Sequence, residues 1–213
     1  TTTGTQTYNG AVTLGADTSL TTTNSLVWFK STVGNSSARA LTISSGTGGV
    51  TFANTVGAST ALGAISISGS GTTTFSGAVT AASLSSGTGT TAINGGSVTT
   101  TGTQTYNGAV TLGADTSLTT TNSLVWFKST VGNSSARALT ISSGTGGVTF
   151  ANTVGASTAL GAISISGSGT TTFSGAVTAA SLSSGTGTTA INGGSVTTTG
   201  TQTYNGAVTL GAD

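Results

Sequence analysis

The chain of 213 residues contains no cysteine, proline, histidine, methionine or glutamate, and charged residues make up only 3% of it. Without cysteine there is no disulfide framework. With three aspartates and four Lys or Arg residues, the side chains that act as acids, bases, nucleophiles and metal ligands are nearly missing. A net charge of +1 gives no basic surface for nucleic acid. We therefore expect no enzyme activity, no metal, no cofactor and no nucleic-acid partner.

Long hydrophobic runs are also missing, since no stretch reaches the ~18 apolar residues that a membrane span requires. The chain nevertheless differs from disordered sequences, which combine low hydrophobicity with high net charge. Here 34% of the residues are hydrophobic and the net charge is close to zero. We expect a folded chain with no membrane span in this segment.

A unit of 98 residues repeats without a substitution. The sequence TGTQTYNGAVTLGADTSL begins at Thr3 and at Thr101, and a truncated copy begins at Thr199. The copies divide the chain into the end of a preceding repeat, two whole repeats and the start of a third: 1–2, 3–100, 101–198 and 199–213. Because the chain begins and ends partway through a unit, we expect one continuous segment over 1–213, cut from a longer array.

A shorter motif recurs inside each unit, in which an aromatic residue is followed four positions later by valine. Its members in the first copy are Tyr8, Phe29, Phe52 and Phe75, with Val12, Val33, Val56 and Val79. Ile93 is a weaker fifth member, and it divides the interval between Phe75 and Tyr106 into a longer first part and a shorter second part. Apolar residues alternate with small or polar ones in these segments, which is typical of strands with one buried face.

Short strands and Gly or Asn turns recurring every ~18 to 25 residues favour a parallel β-helix, also called a β-solenoid, because only stacked coils bury the inner face of each coil. We predict four to five coils per repeat and an all-β rod ~45 to 50 Å long. The aromatic residues and the valines form two interior ladders in this interpretation. The third wall is predicted to contain Leu20, Leu41, Leu62 or Ile65, and Leu84.

The alternative fold is a string of immunoglobulin-like β-sandwich domains, one for each copy, and the length of the unit favours it. Against it stand the motif that recurs within each unit, the absence of proline at any linker and the lack of a composition change between copies.

The phrases GTQTYNGAVTLGADTSL, TTTFSGAV and GGSVTTTGTQTYNGAV resemble the repeats of filamentous-haemagglutinin-like and autotransporter-adhesin proteins of bacterial surfaces. The resemblance covers the whole chain. It implies a right-handed parallel β-helix shaft, exported across the envelope of a Gram-negative cell and used in attachment, aggregation or matrix building. It supplies no functional residues.

Two residue pairs are candidates for a surface contact. If Phe29 faces the interior, alternation along the strand directs Trp28 and Lys30 outward, and the same holds for Trp126 and Lys128. An exposed Trp beside a cation could stack on a sugar ring or contact a neighbouring rod. The alternatives are that Trp28 is the buried ring and Phe29 the outer one, or that Trp28 packs under a loop. We expect Asp17 to make a turn through its own carboxylate.

These observations favour a structural extracellular shaft that mediates attachment, aggregation or matrix building through lateral contacts. The expected partners are other copies of the chain, side by side or end to end, and host or matrix polysaccharide. A passive spacer for a distal binding domain is the main alternative. An ice-binding solenoid is a further one, since outward threonines could align on one face.

Overall fold

The computed structural model describes residues 1–211, which form a parallel β-solenoid of about ten coils with 26 short strands and no helix. The strands of the first five coils are β1 (Gln6–Tyr8), β2 (Val12–Leu14), β3 (Thr18–Thr21), β4 (Val27–Phe29), β5 (Val33–Asn35), β6 (Leu41–Ser44), β7 (Val50–Phe52), β8 (Leu62–Ser68), β9 (Thr73–Phe75), β10 (Val79–Ser85), β11 (Thr91–Ile93), β12 (Ser97–Thr100) and β13 (Gln104–Tyr106). Those of the other five are β14 (Val110–Leu112), β15 (Thr116–Thr120), β16 (Val125–Phe127), β17 (Val131–Asn133), β18 (Leu139–Ser142), β19 (Val148–Phe150), β20 (Leu160–Ser166), β21 (Thr171–Phe173), β22 (Val177–Ser184), β23 (Thr189–Ile191), β24 (Val196–Thr198), β25 (Gln202–Tyr204) and β26 (Val208–Leu210).

Each coil passes along three walls, which we call walls A, B and C in the order in which the first coil visits them. All pairings are parallel and join one coil to the next. Wall A contains β1, β4, β7, β9, β11, β14, β17, Val154, the start of β22, and β24. Wall B contains β2, β5, Val56, the start of β10, β12, β15, β18, β20, the end of β22, and β25. Wall C contains β3, β6, β8, the end of β10, β13, β16, β19, β21, β23 and β26.

The interior is built from the alternate residues of these strands. In β4 the outer two residues, Val27 and Phe29, are buried, whereas the central Trp28 is exposed. The same pattern of two inward residues around one outward residue recurs in most of the three-residue strands, and it follows from the period of two in a strand. Because each coil except the first and the last described one lies between two others, its inward side chains are covered from above and below.

Aromatic rings stack along wall A in the first copy of the repeat. The centroids of Tyr8 and Phe29 are 4.9 Å apart, those of Phe29 and Phe52 4.9 Å, and those of Phe52 and Phe75 5.2 Å. Ile93 is the next member of this column. These separations match the ~4.8 Å between neighbouring strands, so one ring occupies each coil.

The second copy builds the same ladder on a different wall. Tyr106, Phe127, Phe150 and Phe173 stack on wall C at 5.1, 4.8 and 5.1 Å. Tyr8 lies on wall A of the first coil, Tyr106 on wall C of the fifth, and Tyr204 on wall B of the tenth. One copy therefore advances the chain by four coils and two further walls, and three copies return an identical residue to the same wall.

This rotation explains the unequal spacings on the two sides of Ile93. The segment from Phe75 to Ile93 forms one complete coil, since the two residues pair on wall A. The shorter segment from Ile93 to Tyr106 covers only two walls, because Tyr106 belongs to β13 on wall C. The repeat unit is thus not a whole number of coils.

The other expected ladders have these positions. Val12, Val33, Val56, Val79 and Val98 form one column on wall B. On wall C, Leu41 pairs with Ile65 and Ile65 with Leu84, so Ile65 rather than Leu62 occupies this column. Leu20 pairs instead with Ile43, one inward position further along the strand.

Side chains and tight backbone contacts form the corners between walls. Asn24 has a φ of 54° in the left-handed region, where Asn is better tolerated than most residues. Its Oδ1 accepts a hydrogen bond of 3.1 Å from the backbone N–H of Thr47 in the next coil. Asn122 does the same for Thr145 in the second copy.

Candidate surface contact site

Trp28 is the outward residue of β4, and its side chain is 36% exposed, while Trp126 at the same position of β16 is 37% exposed. The neighbouring Phe29 is 1% exposed and stacked in the ladder. The sequence-based alternative with Trp28 buried and Phe29 outside is therefore wrong. Outside the last strand, β26, these two Trp side chains are the only exposed large hydrophobic residues among residues 1–211.

A lysine lies over each Trp ring. Lys30 Nζ is 4.6 Å from the ring centroid of Trp28, and Lys128 Nζ is 4.4 Å from that of Trp126. Both distances are within the ~6 Å of a cation–π contact, which at an exposed site contributes about 0.5–1 kcal/mol. Alternation places Trp and Lys on the same side of the strand, and the contact then holds the ring and the charge together as one patch.

Threonines flank each ring along the rod. Trp28 pairs with Thr7 in the coil before and Thr51 in the coil after. Trp126 pairs with Thr105 and Thr149. The indole therefore interrupts a row of outward hydroxyl groups that runs from coil to coil along the rod. It presents an apolar surface with hydrogen-bonding groups on both sides.

The two patches face different directions. Trp28 is on wall A of the second coil, and Trp126 is on wall C of the sixth. We call these two sites, each made of one Trp and one Lys, the Trp–Lys patches. The structure brings the members of each patch together, but it does not bring the two patches onto a common surface.

The aspartates join neighbouring coils. Asp17 Oδ1 accepts a hydrogen bond of 2.9 Å from the backbone N–H of Ala40, and Asp115 Oδ1 accepts one of 3.0 Å from Ala138. The expectation that Asp17 closes its own turn was wrong, because its acceptor is used by the next coil. Both carboxylates remain exposed at a corner.

A cleft recurs in each copy beside β5 and β17. Its volume is about 240 Å³ near Asn35 and about 310 Å³ near Asn133, and it is lined by Thr, Ser, Asn, Ala, Gly and Val residues. The Oδ1 atoms of both asparagines are buried without a hydrogen-bond partner. The lining carries no charged side chain, so the cleft offers hydroxyl and amide groups only.

A buried polar network marks the start of the second aromatic ladder, and sequence reasoning missed it. The hydroxyl of Tyr106 donates to Gln104 Oε1 at 3.0 Å, and Gln104 Nε2 donates to the carbonyls of Val98 at 3.1 Å and Thr119 at 2.9 Å. Burial raises the pKa of Tyr106 well above its ordinary value of 10 by disfavouring the charged form. The available signal is the Gln two positions before each Tyr, since Gln occurs nowhere else in the chain.

Residues 1–211 contain no cluster of three or more His, Cys, Asp or Glu side chains that could hold a metal ion. No helix in the described residues has the length and apolar character to cross a membrane. Comparison of the chain with protein-family models, with curated proteins and with solved structures finds no match.

Proposed function

We propose that this chain is a segment of an extracellular structural shaft whose coils stack into a stiff rod and whose Trp–Lys patches bind neighbouring rods. The function is mechanical: attachment, aggregation or matrix building at a bacterial surface. The observation that carries the proposal is the exposed Trp28 with Lys30 over its ring, on a rod with otherwise polar walls.

The stacked architecture supports the mechanical part of the proposal. Parallel pairing continues from the first coil to the tenth without a linker. Backbone hydrogen bonds therefore run along the whole rod, and bending is resisted along its length rather than at joints between domains.

The composition of the surface supports association between rods. A net charge of +1 over 213 residues leaves little repulsion between copies, and proteins near zero net charge associate readily. Trp is enriched among the residues that dominate binding energy at interfaces. A rod with one exposed Trp per copy thus has few but well-defined contact points.

The resemblance to filamentous-haemagglutinin-like and autotransporter-adhesin repeats supports the cell-surface location and the Gram-negative source. A matrix or host polysaccharide is the second candidate partner. It is favoured by the hydroxyl groups of Thr7 and Thr51 beside the Trp28 ring, since sugars bind to aromatic rings framed by hydrogen-bonding groups.

Replacing both Trp residues tests the proposal against the passive spacer. We expect the double variant Trp28→Ala and Trp126→Ala to stay folded, because both side chains point outward, and to lose rod association in sedimentation velocity and electron microscopy. The matched control is Thr42→Ala with Thr140→Ala, at exposed outward positions of β6 and β18 away from both Trp–Lys patches. Unchanged association of the Trp double variant would leave only the spacer function. Dispersal by added polysaccharide, with binding lost in the same variant, would favour the second partner.

A further inference from the structure

The two Trp–Lys patches are separated both along the rod and around it. Trp28 lies on wall A of the second coil and Trp126 on wall C of the sixth. At ~4.8 Å per coil, four coils and two walls correspond to roughly 22 Å along the axis. Around the axis the patches differ by one of three walls, which is a third of a turn.

We infer that each rod binds second copies of the chain in two different directions around its axis, so that association builds multi-rod assemblies rather than pairs. This inference rests on the proposed function, because it requires the Trp–Lys patches to be contact sites. It adds the partner, which is a second copy, and the direction of each contact.

Charges on one corner identify the second copy as the partner on wall A. Lys30 follows β4 at the corner between walls A and B in the second coil, and Asp115 lies at the same corner in the sixth coil, between β14 and β15. Both side chains are exposed. Four coils, or roughly 19 Å, separate them, so they do not pair within one chain.

An antiparallel second copy satisfies both charges at once. With its axis reversed, its Asp115 reaches Lys30 while its Lys30 reaches Asp115, which is the reciprocal arrangement of a two-fold interface. In the same arrangement Trp28 lies over wall A of the partner near Thr111, the outward residue of β14 in the sixth coil. Opposite charges at both ends fix the register of such a contact.

The direction of the patches determines how far association proceeds. A reciprocal contact on wall A is closed once two rods have joined, since the wall A patch of each rod is then in use. The patch at Trp126 faces away on wall C and stays free for a further rod. Two patches on one wall would add contact area to a pair, whereas two patches on different walls allow growth.

The first experiment compares the full chain with its Trp126→Ala variant by light scattering and sedimentation velocity. The full chain is expected to form particles much larger than two rods. The variant retains only the patch on wall A, and we expect it to stop at twice the 20.1 kDa of the chain. Growth of the variant into particles as large as those of the full chain would overturn the inference.

The second experiment moves the second patch without removing it. Deleting residues 93–105 joins Ala92 to Tyr106 and takes out the segment that turns the second copy. The repeat then spans four coils, Tyr106 follows Phe75 in the wall A ladder, and Trp126 faces the same way as Trp28. The deletion also moves Asp115 to the corner between walls B and C, the place that Asp17 has in the first copy, so contact on wall A then depends on the Trp–Lys patches alone. We expect this variant not to grow beyond pairs, although it has both patches.

The matched control deletes residues 53–75, which removes one complete coil and joins Phe52 to Ser76. This control keeps Trp126 on wall C, and it is expected to bundle like the full chain. Far-ultraviolet circular dichroism checks that both deletion variants are folded, and Trp126→Ala supplies the same test without a deletion.

The outcomes separate this inference from the proposed function. Bundling that survives the double Trp→Ala replacement contradicts the contact sites themselves. Bundling that needs the Trp residues but is equally large after deletion of 93–105 contradicts only the inference that patches on different walls are needed for growth. A full chain that stops at pairs also overturns that inference.

Discussion

At Gly71 the neighbouring coil leaves no room for a side chain. A Cβ built there would lie 2.1 Å from the backbone nitrogen of Gly49, a distance that real Cβ atoms do not show. The atom in the way is backbone, so it cannot rotate aside. Small residues at such corners therefore allow the coils to approach at strand spacing.

Gly71→Ala should consequently destabilise the rod by about 1–3 kcal/mol, the usual cost of forcing extra volume into a packed site. The control is Gly34→Ala, where a Cβ would meet nothing within 4 Å. Denaturant unfolding of both variants measures the difference. Equal midpoints for the two would show that the corner can widen at no cost.

The hydroxyl of Tyr106 makes the stability of the rod depend on pH. Its pKa is raised by burial in the folded state, whereas in the unfolded chain it ionises near its ordinary value of about 10. Above that pH the unfolded state binds fewer protons than the folded state, so stability falls as pH rises.

We expect each further pH unit above about 10 to lower the ratio of folded to unfolded chain roughly tenfold through Tyr106. Urea unfolding at neutral pH and near pH 11 measures this loss. Tyr106→Phe should remove most of it, leaving the smaller contribution of the half-buried Tyr204, whose pKa is also raised by burial. A variant that loses stability at high pH as steeply as the original chain would contradict the assignment.

At the scale of the strand, Gln104 is the residue that allows a new aromatic ladder to begin. It lies at the first position of β13, where Tyr106 has no ring before it, because Ser86 occupies that place in the preceding coil. Its amide accepts from the Tyr106 hydroxyl and donates to two backbone carbonyls. The polar groups buried at the end of the ladder are thus paired.

Gln104→Ala should cost about 1–3 kcal/mol for each group left buried and unpaired. Gln202→Ala is the matched control, since Gln202 is the same position in the next copy but is exposed. Chemical denaturation compares the two variants. A Gln104→Ala chain as stable as Gln202→Ala would indicate that water replaces the amide.

The sequence predicts the strands and the first ladder well, because one apolar ring recurs at a fixed place in each coil. Alternation around Phe29 also gives the outward direction of Trp28. The shift of the aromatic ladder from wall A in the first copy to wall C in the second is not predictable in this way. Residues 97–104 contain no aromatic residue, so nothing in the motif shows that they cover two walls rather than one coil. The hydrogen bond from Ala40 to Asp17 is missed for a related reason. The two residues are distant in sequence, and the residues around Asp17 do not show which residue of the next coil lies beside it.

At the scale of the whole molecule, the small number of charged residues limits the ways in which opposite charges on two rods can be paired. Lys30 and Asp115 share one corner only through the fractional number of coils in the repeat. Neither has an oppositely charged neighbour within the described chain close enough for an ion pair, so an ion pair between these two residues requires a second copy of the chain.

Reversing the charges tests this pairing. Lys30→Glu should weaken association, because it places two negative charges opposite each other at both ends of the contact. Adding Asp115→Lys to the same chain should restore it by reversing both members of the pair. The association constants follow from sedimentation equilibrium of the two variants. If Asp115→Lys failed to restore association of the Lys30→Glu chain, Lys30 and Asp115 would not be partners in the contact.

Four coils and two walls per copy also bear on what changes when the number of copies changes. Gain or loss of one unit by recombination leaves every junction between repeats chemically identical. It nevertheless rotates all the following repeats about the solenoid axis by a third of a turn. Arrays whose lengths differ by three units end with the last repeat in the same orientation about the axis, and arrays that differ by one or two units do not. In such an array the copy number sets both the length of the solenoid and the orientation of its last repeat.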